Sequence, residues 1–74
     1  MIKKLITAAW CSPCKMLKSK LAEADVQVDI IDADTSPEYI KKLVIRSVPT
    51  LVIEDGENVE LITRYEDILD NLLG

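Results

Sequence analysis

The chain contains no histidine, which removes histidine-based catalytic triads, histidine zinc sites and histidine haem ligation. Glycine occurs only at Gly56 and Gly74, so no glycine-rich loop can cradle a phosphate. Cys11 and Cys14 are the only cysteines, too few for a four-thiolate zinc site within one chain. Phenylalanine is absent, and one tryptophan with two tyrosines offers few platforms for stacking bases. No basic run is long enough to track a phosphate backbone, and the net charge is −4; both argue against nucleic-acid binding. No apolar run approaches the ~18 residues needed to span a bilayer. Met1 to Leu5 already read as strand and no secretory signal pattern precedes them, so a cytoplasmic setting and no membrane contact are expected. There a cysteine pair is more often catalytic than structural.

What remains is a small globule. Seventy-four residues make a single domain, 1–74, expected to be monomeric, with a thin core. An apolar fraction of 49% beside 30% charged residues suits compact packing rather than disorder. The acidic excess is spread along the chain and reads as solvated surface.

Periodicity gives the elements. Ile2 to Ile6 is a strand. From Pro13 to Ala24 the apolar positions Leu17, Leu21 and Ala24 recur at helical spacing, with Ser12 placed to cap. Val26, Val28 and Ile30 alternate with polar residues, and Ile31 extends that second strand. Thr35 with Glu38, and Ser36 before Pro37, start a helix predicted to run to about Val44, with Tyr39, Ile40, Leu43 and Val44 inward. Thr50–Ile53 and Val59–Ile62 flank the hairpin signal Asp55-Gly56. Thr63 with Glu66 opens a last helix whose Tyr65, Ile68, Leu69 and Leu72 share a face. The order β-α-β-α-β-β-α predicts a four-stranded mixed sheet, the first two strands parallel through a right-handed crossover, with helices on both faces.

Chemistry concentrates at Trp10-Cys11-Ser12-Pro13-Cys14-Lys15, where a strand meets a helix. Two intervening residues keep both sulfurs on one helical turn. A helix start favours a thiolate, so Cys11 is the candidate nucleophile. Cys14, one turn further in, is the candidate resolving thiol. Pro13 limits helix flexibility, and Trp10 offers an apolar surface for docking. Two alternatives stand beside this reading. The pair could be small buried hydrophobes, or half of a metal or iron–sulfur centre shared across a dimer. Pro49 in Ser47-Val48-Pro49-Thr50 is either an ordinary edge residue or part of a cis bond; spacing does not choose. Asp29, Asp32 and Asp34 lack the geometry of a metal loop and read as strand-end residues. Lys41, Lys42 and Arg46 read as a solvated face, with the docking of an acidic partner as the lesser alternative.

The cysteine motif together with Arg46-Ser47-Val48-Pro49-Thr50, ahead of a hairpin and a final helix, resembles the thioredoxin/glutaredoxin superfamily. The likeness in element order covers nearly the whole chain. It implies a thioredoxin-like α/β fold and a thiol-disulfide oxidoreductase that reduces protein disulfides. By that resemblance Pro49 is cis and lies against the sulfurs, and Val48 presents backbone to an extended substrate. No bound cofactor is implied beyond the redox-active disulfide. Electrons would come from NADPH through thioredoxin reductase, or from glutathione as in glutaredoxins. Ribonucleotide reductase is an implied acceptor among disulfide-containing proteins. The chain departs from thioredoxins at Ser12, where they carry glycine, and at Leu5 and Ile30, where they carry a buried aspartate and lysine. It departs from glutaredoxins at Leu61 to Tyr65, which lacks their glycine pair; Arg64 is the candidate there to meet a carboxylate.

Overall fold

The protein is described by a computed structural model covering residues 1–74. Strand β1 (Ile2–Thr7) lies inside the sheet, and its second half is buried on both sides. β2 (Asp29–Asp32) pairs parallel to it, with Leu5 opposite Ile30. β3 (Thr50–Asp55) pairs antiparallel on the other edge, with Leu5 opposite Leu51. β4 (Asn58–Ile62) adds antiparallel to β3, giving the order β2-β1-β3-β4. Gly56 opens the two-residue turn with φ +62, the glycine position of a type II′ hairpin. A Cβ there would meet nothing within 4 Å, so conformation rather than space calls for glycine.

The sheet separates two layers. On one face α1 (Ser12–Glu23) and α3 (Tyr65–Leu73) pack Leu17, Leu21 and Ile68 onto Leu5, Leu51 and Ile53. Strand alternation turns Ile6 and Val52, both fully buried, to the opposite face. There Lys4 sits 5.0 Å from the Tyr39 ring of α2 (Pro37–Lys42) and 3.2 Å from Glu54. The Glu54 hydrogen bond holds the Lys4 ammonium above the usual lysine range. This is the thioredoxin-like topology, β-α-β-α-β-β-α with a mixed four-stranded sheet and flanking helices.

Several boundaries differ from the sequence reading. Val26 and Val28 precede β2 as irregular chain, yet both pack on the core as a strand would require. Ala24 caps α1 and is exposed. The Thr35–Glu38 box does not form, because Thr35 Oγ1 donates instead to the Asp32 carbonyl at 3.3 Å and Ser36 becomes the N-cap. α3 starts after Arg64, whose side chain makes no cap, rather than after Thr63.

The largest departure is at the end of α2. The helix stops at Lys42, and Val44 is 61% exposed rather than inward. The Val44 amide donates to the Lys41 carbonyl and the Ile45 amide to the Ile40 carbonyl, a closure that needs a left-handed residue between them. Val44 takes that role at φ +55. The same closure ends α1, where Asp25 at φ 55 fits it better, since short polar side chains tolerate this region and β-branched ones do not. Val44→Gly should therefore raise stability by about 1 kcal/mol, because the strain goes and little packing is lost. Urea denaturation would show a higher midpoint with an unchanged slope; a lower midpoint would mean that the Val44 side chain makes a contact worth more than the strain.

Candidate active site

β1 ends at Thr7, and Ala8, Ala9 and Trp10 turn the chain into α1. The Cys11 amide donates to the Ala8 carbonyl at 3.1 Å, which closes the turn. Cys11 then takes extended angles, φ −93 and ψ 112, and is itself the N-cap of α1. Its Sγ accepts from the Cys14 backbone N–H at 3.3 Å. Ser12, expected to cap, is instead the first helical residue, with Pro13 next, where a missing N–H costs nothing. The cap is thus a sulfur rather than a hydroxyl, and the candidate nucleophile is fixed by the helix it starts.

Both cysteines are free and buried, Cys11 at 5% exposure and Cys14 at 0%. Burial pushes the Cys14 thiol up to about 11, and its hydrogen bond to Cys11 adds to this, while the Ala8 backbone and the Lys18 charge pull the other way. Cys14 is therefore a protonated thiol at neutral pH. The only buried polar side chains in the chain are Thr7 and Thr50, neither of which ionises. Leu5, wholly buried, puts hydrocarbon where the resemblance to thioredoxins would place an aspartate.

Ala8, Cys11 and Cys14 form one packed cluster, with Val48 against it. The Val48–Pro49 bond is cis and Pro49 is buried. Thr50 Oγ1 donates to the Ser47 carbonyl at 2.6 Å and pins this loop to the start of β3. Trp10 is 70% exposed, and Pro13 is exposed beside it in sequence. Trp10 and Val48 share a recess of about 190 Å³ with Ile40 and Ile45. Arg64 stands apart from this cluster, its guanidinium turned to Asp67 on its own helix at 4.0 Å. The sequence reading assigned no site role to Ile40 or Ile45. Their only signal was apolar character on either side of a helix end, which equally fits core packing.

No group of three or more cysteine, aspartate or glutamate side chains is placed to hold a metal ion. Asp32 Oδ1 instead accepts from the Asp34 amide at 2.8 Å, a turn contact. A larger recess of about 1030 Å³ lies at the other end of the sheet, lined by Ile2, Leu21, Val28 and Leu72, and includes neither cysteine. No helix is long and apolar enough to cross a membrane.

Similarity to known proteins agrees with this geometry. The thioredoxin family model matches residues 5–71. Thioredoxin of Mycobacterium tuberculosis is 39% identical in an alignment 82 positions long, spanning 88% of this chain and 71% of that protein. Oxidised mitochondrial thioredoxin 3 of Saccharomyces cerevisiae superposes with TM-score 0.74 at 29% identity, over 97% of this chain and 76% of that one. A chain of the complex between ferredoxin:thioredoxin reductase and thioredoxin f2 superposes with TM-score 0.75 at 28% identity, over 95% and 72%. The chain belongs to the thioredoxin family, and its Cys11–Cys14 spacing is consistent with a thiol-disulfide oxidoreductase.

The Cys14 proton has a consequence for stability. A thiol held at about 11 when folded, against an ordinary value of 9.0, binds its proton more tightly in the native state. Its contribution is present in full below pH 9 and is lost as pH rises from 9 through about 11. Reduced protein should therefore lose up to roughly 2–3 kcal/mol across that window relative to oxidised protein, which has no thiol to titrate. Parallel urea titrations of both forms would check this; identical pH profiles would contradict it.

Proposed function

We propose that this protein reduces disulfides in other proteins through a Cys11/Cys14 dithiol couple. The observation that carries the reading is the bond from the Cys14 amide to Cys11 Sγ at the start of α1, with the protonated Cys14 thiol directly behind. Cys11, as thiolate, attacks one sulfur of the substrate disulfide. A mixed disulfide forms, and the first substrate sulfur leaves as thiolate. Cys14 then gives up its proton and attacks Cys11 Sγ. The second substrate sulfur leaves, and the protein ends as the Cys11–Cys14 disulfide. The substrate has gained two electrons and two protons, the protein has lost the same, and no metal or organic cofactor takes part.

With no carboxylate or ammonium buried near it, Cys14 passes its proton to the departing substrate sulfur or to solvent rather than to an interior carboxylate. Trp10, Pro13 and Val48 form the surface on which an extended substrate lies, and Pro49, proposed from the resemblance as part of that set, lies buried behind Val48. Arg64 faces Asp67 and is the weakest member of the proposed binding set.

A thioredoxin reductase drawing on NADPH returns the electrons in this reading. A structural relative seen in complex with ferredoxin:thioredoxin reductase supports a reductase partner in general, and NADPH as the source follows from the family resemblance alone. The absence of a glycine pair at Leu61 to Tyr65 disfavours glutathione in that role. A monomer acting in the cytoplasm on disulfide proteins, ribonucleotide reductase among them, completes the proposal.

Trapping tests the roles. Cys14→Ser should accumulate mixed disulfides with substrate, because nothing resolves them, and Cys11→Ser should form none. Equal trapping by the two variants on non-reducing gels would overturn the assignment.

A further inference from the structure

The outer edge of β2 has no partner in the fold. The sheet ends there, with β1 on its inner side only. The Ala33 amide donates inward to the Thr7 carbonyl at 2.8 Å, so strand alternation points the amides of Ile30 and Asp32 outward. The Asp32 carbonyl is taken by the Thr35 and Ser36 amides, while by the same alternation the Ile30 carbonyl stays open. Gln27 and Val28, just before the strand, make no backbone hydrogen bond at all. Their apolar alternation continues that of β2, and Val26 and Val28 already pack on the core. What this stretch lacks is a second strand to pair with.

Edge strands are commonly blunted by lysine, proline or a bulge. β2 carries none of these, and its register with β1 is unbroken. Ile30 keeps its side chain 48% exposed, at the margin of the recess of about 1030 Å³ that it shares with Val28 and Ile2. Charge says what fits there. Asp29 and Asp32 bracket the two isoleucines and make no ion pair; the salt bridges of the chain are Lys4–Glu54 and Arg64–Asp67. A second copy would bring Asp29 and Asp32 of both strands onto one short seam with no cation between them. Like charges across a sheet are destabilising, so the edge disfavours its own kind and favours a cationic strand.

We propose that this edge is a strand-addition surface for an extended, basic segment of another protein. The segment carries two apolar residues between two lysines or arginines, the complement of Asp29-Ile30-Ile31-Asp32. Its backbone pairs with Ile30 and with the Asp32 amide, and draws Gln27 and Val28 into a longer β2. One apolar side chain lies beside Ile30 over the recess, and the cations meet Asp29 and Asp32. The surface is separate from the dithiol, since neither cysteine lines that recess.

The test titrates the full chain with the cysteine-free peptide Thr-Lys-Val-Val-Lys-Thr, acetylated and amidated, and follows backbone amides by NMR. Saturable shifts confined to Gln27 through Asp32 are expected, with slowed hydrogen exchange at the Ile30 and Asp32 amides. Asp29→Lys should weaken binding roughly fivefold at low ionic strength, and added salt should weaken binding to the parent chain. The same variant should reduce bis(2-hydroxyethyl) disulfide at the parent rate. A peptide with glutamate in place of both lysines, or N-methylated at both valines, should not bind. Absence of shifts, equal binding of the lysine and glutamate peptides, or shifts centred on Trp10 and Val48 would overturn the proposal. So would concentration-dependent changes at β2 without peptide, which would make a second copy the occupant.

Discussion

The hydrogen bond from the Cys14 amide to the Cys11 sulfur, 3.3 Å long, joins folding to chemistry in this chain. A helix start leaves backbone N–H groups without partners, and a side-chain acceptor at the N-cap normally satisfies one of them. Here that acceptor is the sulfur expected to react. The helix therefore cannot begin as it does without placing Cys11 at the head of α1, one turn ahead of Cys14. Everything else in the site is arranged around this junction. Val48 closes the cluster from the loop before β3, and Thr50 fixes that loop to the sheet.

A second constraint is the dryness beneath the pair. Leu5, Leu17 and Leu51 are fully buried, and no carboxylate or ammonium lies with them. A hydrocarbon interior disfavours a charged Cys14, and this is the main reason its proton is held so firmly. A buried aspartate would give the proton a second place to go. Without one, the proton stays on Cys14 until a mixed disulfide at Cys11 provides both a target for attack and a thiolate to accept it. Apolar packing that stabilises a small domain thus also orders the two steps of the exchange.

Much of this could be read from the residues. The element order, the parallel crossover and the hairpin at Gly56 follow from periodicity and turn chemistry, and the structure carries all three. The cysteine pair was legible because strand, turn and helix-start signals converge on it. Element ends were less so, because several residues could each supply the cap. Ser12 is a good cap by type, but the turn before it puts Cys11 in that place, and of the two starts offered for α2 the chain takes Ser36-Pro37 rather than the Thr35–Glu38 box. Val44 fitted a helical apolar face, and nothing local announced that the chain would reverse there. The recess beside Trp10 was not legible, since Ile40, Ile45 and Val48 meet only through tertiary folding.

Differential alkylation of the reduced protein tests the central asymmetry most directly. Iodoacetamide at neutral pH, followed site by site by mass spectrometry, compares the two thiols in a single sample. Modification confined to Cys11, with Cys14 reacting only on unfolding or near pH 11, is the predicted result. Equal modification of both cysteines at neutral pH, or prior reaction at Cys14, would contradict the division of labour proposed for the pair.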